Sequence, residues 1–278
     1  MSRRILICTD LDGTLLPNGR APESASARRH FTQVVARPEV SLAYVTGRHQ
    51  ALVEEAIAEF SLPVPQVVIA DVGTTIYDVG NAGWHVWPSW KERLAAQWEP
   101  GRREELQLAL QELKGLRLQE DTKQTDFKLS YCVAMDTSSR EAVAEVHRRL
   151  ERQSTSSRLI FSRDSKGIGL LDLVPPMAGK LSAIEFLQER RGFWRERTVF
   201  AGDSGNDLEV LASQVPSVLV ANASAAVRQQ ALELAKAKDT SPRLYQAQGG
   251  FLGMNGNYSA GILEGLAHFL PEIAEWLT

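Results

Sequence analysis

The run Ile5-Leu6-Ile7-Cys8-Thr9-Asp10-Leu11-Asp12-Gly13-Thr14-Leu15 decides how this chain is read. Four apolar residues and a threonine stop abruptly at an acid, which predicts a short strand over residues 5–9, buried on both faces. Asp10 and Asp12 are two residues apart, so extended backbone aims both side chains the same way. Gly13 permits a sharp exit from the strand. On its own, such an Asp-x-Asp pair reads as a cap on a loop or on the following helix.

Similar apolar runs recur at residues 41–45, 66–70, 198–201 and 217–220, each ended by polar or glycine residues. Stretches with helical spacing, such as 51–60 and 180–191, lie between several of them. This alternation predicts right-handed crossovers and a doubly wound parallel sheet, an α/β core of Rossmann-like type. From 81 to 171 the pattern changes to a Trp-rich segment, helices near 104–114 and 141–152, and an alternating run at 127–134. The expected organisation is a core domain of residues 1–80 and 172–278, interrupted by a smaller α+β domain of residues 81–171 with hinge crossings near 80 and 172. Residues 258–277 read as one helix whose apolar stripe is Ile262, Leu263, Leu266 and Phe269.

A length of 278 residues accommodates two such domains. A formal net charge of -3 gives no global basic field of the kind that draws nucleic acid or an anionic membrane surface. The apolar run before Asp10 is too brief for a leader or a membrane span. Cys8 and Cys132 form no disulfide framework or zinc spacing, which fits a reducing cytoplasm. The expected partner is a small molecule, with no nucleic acid and no membrane.

A second acidic stretch, Gly202-Asp203-Ser204-Gly205-Asn206-Asp207, follows the run 198–201 and opens a helix. Alone it reads equally as a helix cap with acids complementing the dipole. Ligands of open parallel sheets bind beyond the carboxyl ends of the strands, where both acidic stretches fall. Hard divalent cations take oxygen ligands, and magnesium suits Asp10 and Asp203 with the Asp12 carbonyl, Asp207 standing beside them. Of the first pair, Asp10 is placed to attack phosphorus as a carboxylate, and Asp12 to protonate the departing alcohol and then deprotonate water. Thr46-Gly47-Arg48, at the end of the run 41–45, and Lys180 can supply hydroxyl, backbone and cationic donors to a phosphoryl group. Each of these alone reads as a turn or a solvated helix start.

Taken in order, Asp10-x-Asp12-Gly13-Thr14, Thr46-Gly47-Arg48, Lys180 and Gly202 to Asp207 resemble the four motifs of the haloacid-dehalogenase-like phosphatase superfamily. Three further stretches, Lys128-Leu129-Ser130-Tyr131, Gly256-Asn257-Tyr258-Ser259-Ala260-Gly261-Ile262 and Gly265-Leu266-Ala267-His268-Phe269, are similar to the sucrose-phosphate phosphatase group. The resemblance implies a magnesium-dependent enzyme with nucleophile Asp10, acid/base Asp12, metal at Asp10 and Asp203, and phosphate contacts from Thr46, Gly47, Lys180 and Asn206. It also implies an inserted cap that reads a phosphorylated sugar. The chain departs from the usual pattern around Lys180, with Ala178-Gly179 before it and Leu181 after it.

Lys128, Lys166 and Arg48 are the candidate substrate contacts. Glu120, Asp121 and Asp126 read as surface charge, and Trp84, Trp87, Trp90 and Trp98 as packing residues. The five histidines show no metal spacing; His49 alone adjoins the candidate site. Gly249-Gly250-Phe251-Leu252-Gly253 lacks the Lys-Ser/Thr of a phosphate loop. Two alternatives share the fold: a phosphosugar-binding sensor or synthase accessory domain, and an enzyme passing phosphate to an acceptor sugar.

Overall fold

The computed structural model describes residues 4–133, 137–152, 156–163 and 167–277. These divide into two compact units, one of Met1–Val86 with Lys180–Thr278 and one of Trp87–Gly179.

The larger unit is built on an eight-stranded sheet. Its strands are β1 (Ile5–Thr9), β2 (Val40–Val45), β3 (Val67–Ala70), β4 (Thr75–Gly80) and β5 (Gly83–Val86), then, after the insertion, β10 (Thr198–Gly202), β11 (Ser217–Leu219) and β12 (Leu244–Gln246). They lie in the order β12-β11-β10-β1-β2-β3-β4-β5. All pairings from β12 to β3 are parallel, and β4 and β5 extend the sheet antiparallel. The central strands are sealed: all five residues of β1 are buried, as are those of β10. Alternation sends Ile5 and Ile7 into a core shared with Phe31, Val34, Leu263 and Leu266, while the equally buried Leu6 and Cys8 point to the opposite face. Each such side chain contributes roughly 1.5–3 kcal/mol of transfer free energy, so the sheet centre is the rigid platform of the unit.

Two sequence expectations change here. The carboxyl-terminal helix is split into Ser259–Phe269 and Glu272–Leu277, because Pro271 has no N–H to continue the ladder and its ring displaces the preceding turn. The units also divide after Val86 and Gly179, not near 80 and 172. β5 pairs with β4 through Val79↔Trp84 and Tyr77↔Val86, which ties residues 83–86 to the large sheet. The half-exposed β4 offered no buried run by which to foresee this hairpin.

The smaller unit holds β6 (Leu116–Leu118), β7 (Leu129–Val133), β8 (Arg158–Arg163) and β9 (Gly169–Val174) in the antiparallel order β6-β7-β9-β8. Leu129 pairs with Leu173 and Tyr131 with Leu171, one buried face of the sheet. On the other face the Ser130 hydroxyl donates to Asp172. β9 belongs to this sheet and carries residues 172–174 with it. Helix Arg102–Leu110 packs on helix Thr137–Arg152, with Arg149 Nη1 donating to the Ala109 carbonyl at 2.6 Å. Trp90 and Trp98 are buried, and Trp84 packs edge-on against Tyr77 in the larger unit. No helix among the described residues is long and apolar enough to cross a membrane. Both cysteines are free.

Candidate active site

Three neighbouring parallel strands, β10, β1 and β2, end in the sequence at Gly202, Thr9 and Val45, immediately before Asp203, Asp10 and Thr46. Strands pair about 4.8 Å apart, so this order alone sets the three motifs side by side. β1 is also where strand order reverses, running outward to β2 and β3 on one side and to β10 and β11 on the other. A crevice opens at such a point. The Asp10 N–H donates to the Ala201 carbonyl at 2.9 Å, holding the first loop to β10 as it leaves the sheet.

The acids converge. Carboxylate oxygens of Asp10, Asp203 and Asp207 lie within 4.8 Å of one another. Lys180, at the start of helix Lys180–Arg191, inserts among them with its Nζ 3.0 Å from Asp10 Oδ1, 2.7 Å from Asp207 Oδ1 and 3.0 Å from Asn206 Oδ1. The Lys180 side chain is 2% exposed, and these three oxygens occupy its three donors. Thr14 Oγ1 donates to Asp203 Oδ1 at 2.9 Å.

Asp207 serves the loop. Its Oδ2 accepts from the Asp203 and Ser204 N–H groups and the Ser204 hydroxyl, at 3.1, 3.0 and 3.2 Å, while Oδ1 holds Lys180. Ser204 and Asp207 form a capping box on the short turn Gly205–Asp207. With its lone pairs so occupied, Asp207 orients the others, and the oxygens suited to a cation are those of Asp10 and Asp203.

Asp12 takes a different environment. Arg48 Nε donates to its Oδ2 at 2.8 Å and Arg48 Nη2 to its Oδ1 at 2.7 Å, a bidentate fork. Asn18 Nδ2 adds a bond to Oδ1 at 2.6 Å, and Asn18 Oδ1 accepts from the Gly13 N–H at 2.9 Å. Arg48 is itself fixed by Nη1 donating to the Leu52 carbonyl at 3.1 Å. Arg48 therefore meets Asp12, whereas the sequence suggested a substrate contact.

The two aspartates of the first motif are driven apart electrostatically. Burial pushes the Asp10 carboxyl well up, and the charges of Asp207, Asp203 and Asp12 add to this against the opposing Lys180. Burial acts on Asp12 in the same sense but is outweighed by the hydrogen bonds and charge of Arg48, with Asn18 assisting, so Asp12 lies below its ordinary value. Burial and the neighbouring Asp207 raise Asp203 to about 7. Burial would lower Lys180, but Asp10 and Asp207 overrule it and hold the ammonium charged.

This is a site short of positive charge. Among the described residues, four converging carboxylates face two cationic side chains. The surplus and the converging hard oxygen donors fit a divalent cation such as Mg2+. Gly13 lets the Asp203 carboxylate lie against the first loop: a Cβ there would lie 2.4 Å from Asp203 Oδ2, and the residue's φ of +73° is itself one that favours glycine.

Thr46 is buried, with its Oγ1 accepting from the Arg48 N–H at 3.1 Å; Gly47 is exposed beside it. Asn206 presents its carboxamide oxygen to Lys180 and to the Ser204 hydroxyl. His49 precedes helix Gln50–Phe60, and its carbonyl accepts from the Val53 N–H. In the smaller unit Lys128 is buried, whereas Asp126 is exposed and paired with exposed Lys91. Lys166 lies outside the described residues.

Asn18 and Asn222 escaped the sequence reading. Asn222 Nδ2 donates to the Gly13 carbonyl at 2.6 Å, and its Oδ1 accepts from the Tyr258 N–H at 2.9 Å. It thereby ties the first loop to the start of helix Ser259–Phe269. The two partners are 209 and 36 residues away, so no local pattern signals the contact.

The family model described as sucrose-6F-phosphate phosphohydrolase matches residues 3–270. A Nitrosococcus oceani protein named for its likeness to HAD hydrolases is 47% identical over 278 residues, which is all of this chain and 75% of that protein. Sucrose-phosphatase 1 of Nicotiana tabacum is 29% identical over 272 residues, 96% of this chain, and the chain spans 59% of its length. The X-ray structure of the sucrose-phosphatase from Synechocystis, in complex with sucrose and phosphate, superposes with a TM-score of 0.78 at 26% identity, covering 96% of this chain and 98% of that one. The strand order, the converging acids and these matches together place the chain in the sucrose-6F-phosphate phosphohydrolase family, phosphoric monoester hydrolases of the haloacid-dehalogenase-like fold.

Proposed function

We propose that the protein is a Mg2+-dependent phosphatase that hydrolyses a phosphorylated sugar or glycoside of the sucrose 6-phosphate kind through an aspartyl phosphate. The observation that carries this reading is the meeting of Asp10, Asp203 and Asp207 around Lys180 at the carboxyl ends of β1 and β10. The sugar class is supported by the family match and by the names of the relatives.

Asp10, at the end of the buried β1, attacks phosphorus through a carboxylate oxygen. The bond from phosphorus to the ester oxygen breaks, its electron pair stays on that oxygen, and a proton that Asp12, ionised at rest, takes up when the substrate phosphate binds completes the sugar alcohol. Water then attacks the same phosphorus and yields its proton to Asp12. The bond to Asp10 breaks, and the carboxylate returns with inorganic phosphate released. Thr46 and the Gly47 backbone are the donors for the phosphoryl oxygens, joined by Lys180 once its bond to Asp10 yields as Asp10 turns to phosphorus. Asp10 and Asp203 would hold Mg2+, whose charge, when bound, offsets that of the phosphoryl group. The unit Trp87–Gly179 acts as the specificity cap, with Lys128 as its candidate sugar contact.

The test is release of inorganic phosphate from sucrose 6-phosphate, mannosylfructose phosphate and glucosylglycerol phosphate, with Mg2+ or with chelator, compared as kcat/KM. Binding of these ligands without release under any condition would assign the protein instead to sensing. Appearance of phosphorylated acceptor sugar in place of free phosphate would assign it to phosphotransfer.

A further inference from the structure

The Asp12 carboxylate offers about four lone pairs for hydrogen bonding. Two donors, Arg48 Nη2 and Asn18 Nδ2, converge on Oδ1 at 2.7 and 2.6 Å, whereas Oδ2 accepts from Arg48 Nε alone at 2.8 Å. The two oxygens are therefore not equivalent. Oδ1 is saturated among the described residues, and Oδ2 keeps a lone pair. The fork also fixes the carboxylate plane, because a planar guanidinium bonded through Nε and Nη2 allows its partner one orientation. Both holders are held in turn, Arg48 by the Leu52 carbonyl and Asn18 by the Gly13 N–H.

We infer that Arg48, seconded by Asn18, is a positioning residue that sets the Asp12 carboxylate so that Oδ2 is the oxygen exchanging a proton with the sugar alcohol and then with water. The inference rests on the acid/base reading of Asp12 proposed above and assigns the atom that performs it. The proton moves from Oδ2 to the ester oxygen as the phosphorus–oxygen bond breaks, and one returns to Oδ2 from the attacking water. Arg48 touches neither reacting atom. Its effect is on the angle at which the proton is presented, which general acid catalysis requires to be within hydrogen-bond reach and aligned.

A leaving group that needs no proton separates this role from a structural one. Steady-state kinetics of the intact protein with Mg2+ are to be compared on sucrose 6-phosphate, whose alcohol must be protonated, and on 4-nitrophenyl phosphate, whose phenolate departs unaided. Asp12→Asn is expected to lose about 100-fold more kcat on the sugar ester than on the aryl ester. Arg48→Ala should show the same selectivity at about tenfold, with KM for sucrose 6-phosphate within about threefold and the melting transition preserved. Arg48→Lys, which keeps the charge and loses the fork, should recover little of that loss, and Asn18→Ala should show a smaller selective loss. Guanidinium chloride at non-denaturing concentration should restore part of kcat to Arg48→Ala on the sugar ester.

If Asp12→Asn is selective and Arg48→Ala loses equally on both esters, the positioning role is wrong while the acid/base reading survives. If Arg48→Ala raises KM for sucrose 6-phosphate and leaves kcat intact, Arg48 is a substrate-binding group and the inference falls. If Asp12→Asn itself is unselective, or the wild type turns over neither ester, the functional reading fails and takes the inference with it.

Discussion

Lys180 Nζ lies 3.0 Å from Asp10 Oδ1, and the two side chains are 2% and 6% exposed. A buried charge pair of this kind contributes little net stability against an apolar replacement, but breaking it from one side is costly. The same ammonium also serves Asp207. It balances like charges that burial alone would neutralise by protonation.

Replacing Lys180 with Met should therefore destabilise the protein by about 3–5 kcal/mol, since two buried carboxylates are left without their cation. Urea unfolding in chelator measures this. Added Mg2+ should recover part of the loss, because a cation at Asp10 and Asp203 relieves the same repulsion.

Asp10→Asn should abolish phosphate release, by at least about 1,000-fold, because an amide oxygen cannot serve as the nucleophile. The thermal transition should survive, since the substitution removes one charge from a site with a surplus of carboxylates. A variant retaining most of its turnover would dismiss Asp10 as the nucleophile.

Asp203 titrates near 7 without a cation, against an ordinary carboxyl value of 3.8. A raised acid binds more protons in the folded than in the unfolded state between those values. Its contribution to stability is present in full below about 3.8 and is lost as pH rises through about 7. In chelator, the melting temperature of the wild type should fall over that window relative to Asp203→Asn. Mg2+ binding, which uses the ionised form, should strengthen over the same window, as calorimetry at pH 5.5 and 7.5 would show.

Gly13→Ala places a Cβ 2.4 Å from Asp203 Oδ2 at a φ of +73°. Asp203 cannot swing aside without losing its bond from Thr14 Oγ1. The substitution should cost about 1–2 kcal/mol of stability. It should also weaken the apparent Mg2+ affinity about tenfold, read as the Mg2+ concentration for half-maximal turnover. A variant with unchanged Mg2+ dependence would show that the pose of Asp203 against Gly13 does not serve the cation.

The abrupt apolar runs at β1, β2, β3, β10 and β11 were legible in the sequence because central parallel strands are buried on both faces and carry no polar alternation. The acids followed from them, since a residue that ends such a strand can lie only at the sheet's carboxyl edge. The hairpin of β4 and β5 did not show, because half-exposed edge strands mix polar and apolar residues without a buried run. Helix Ser259–Phe269 was legible from its stripe, although its end before Pro271 was overlooked.

Local sequence thus determined which residues could stand at the rim: short-range burial and strand direction place Asp10, Thr46 and Asp203 there without knowledge of any distant neighbour. Tertiary structure alone decided how those residues share the work. Arg48 meets Asp12 across 36 positions, Lys180 meets Asp207 across 27, and Asn222 meets Gly13 across 209. Hydrogen bonds and charge act over a few ångströms of space and are indifferent to separation along the chain, so the protonation and pose of each acid are properties of the folded site.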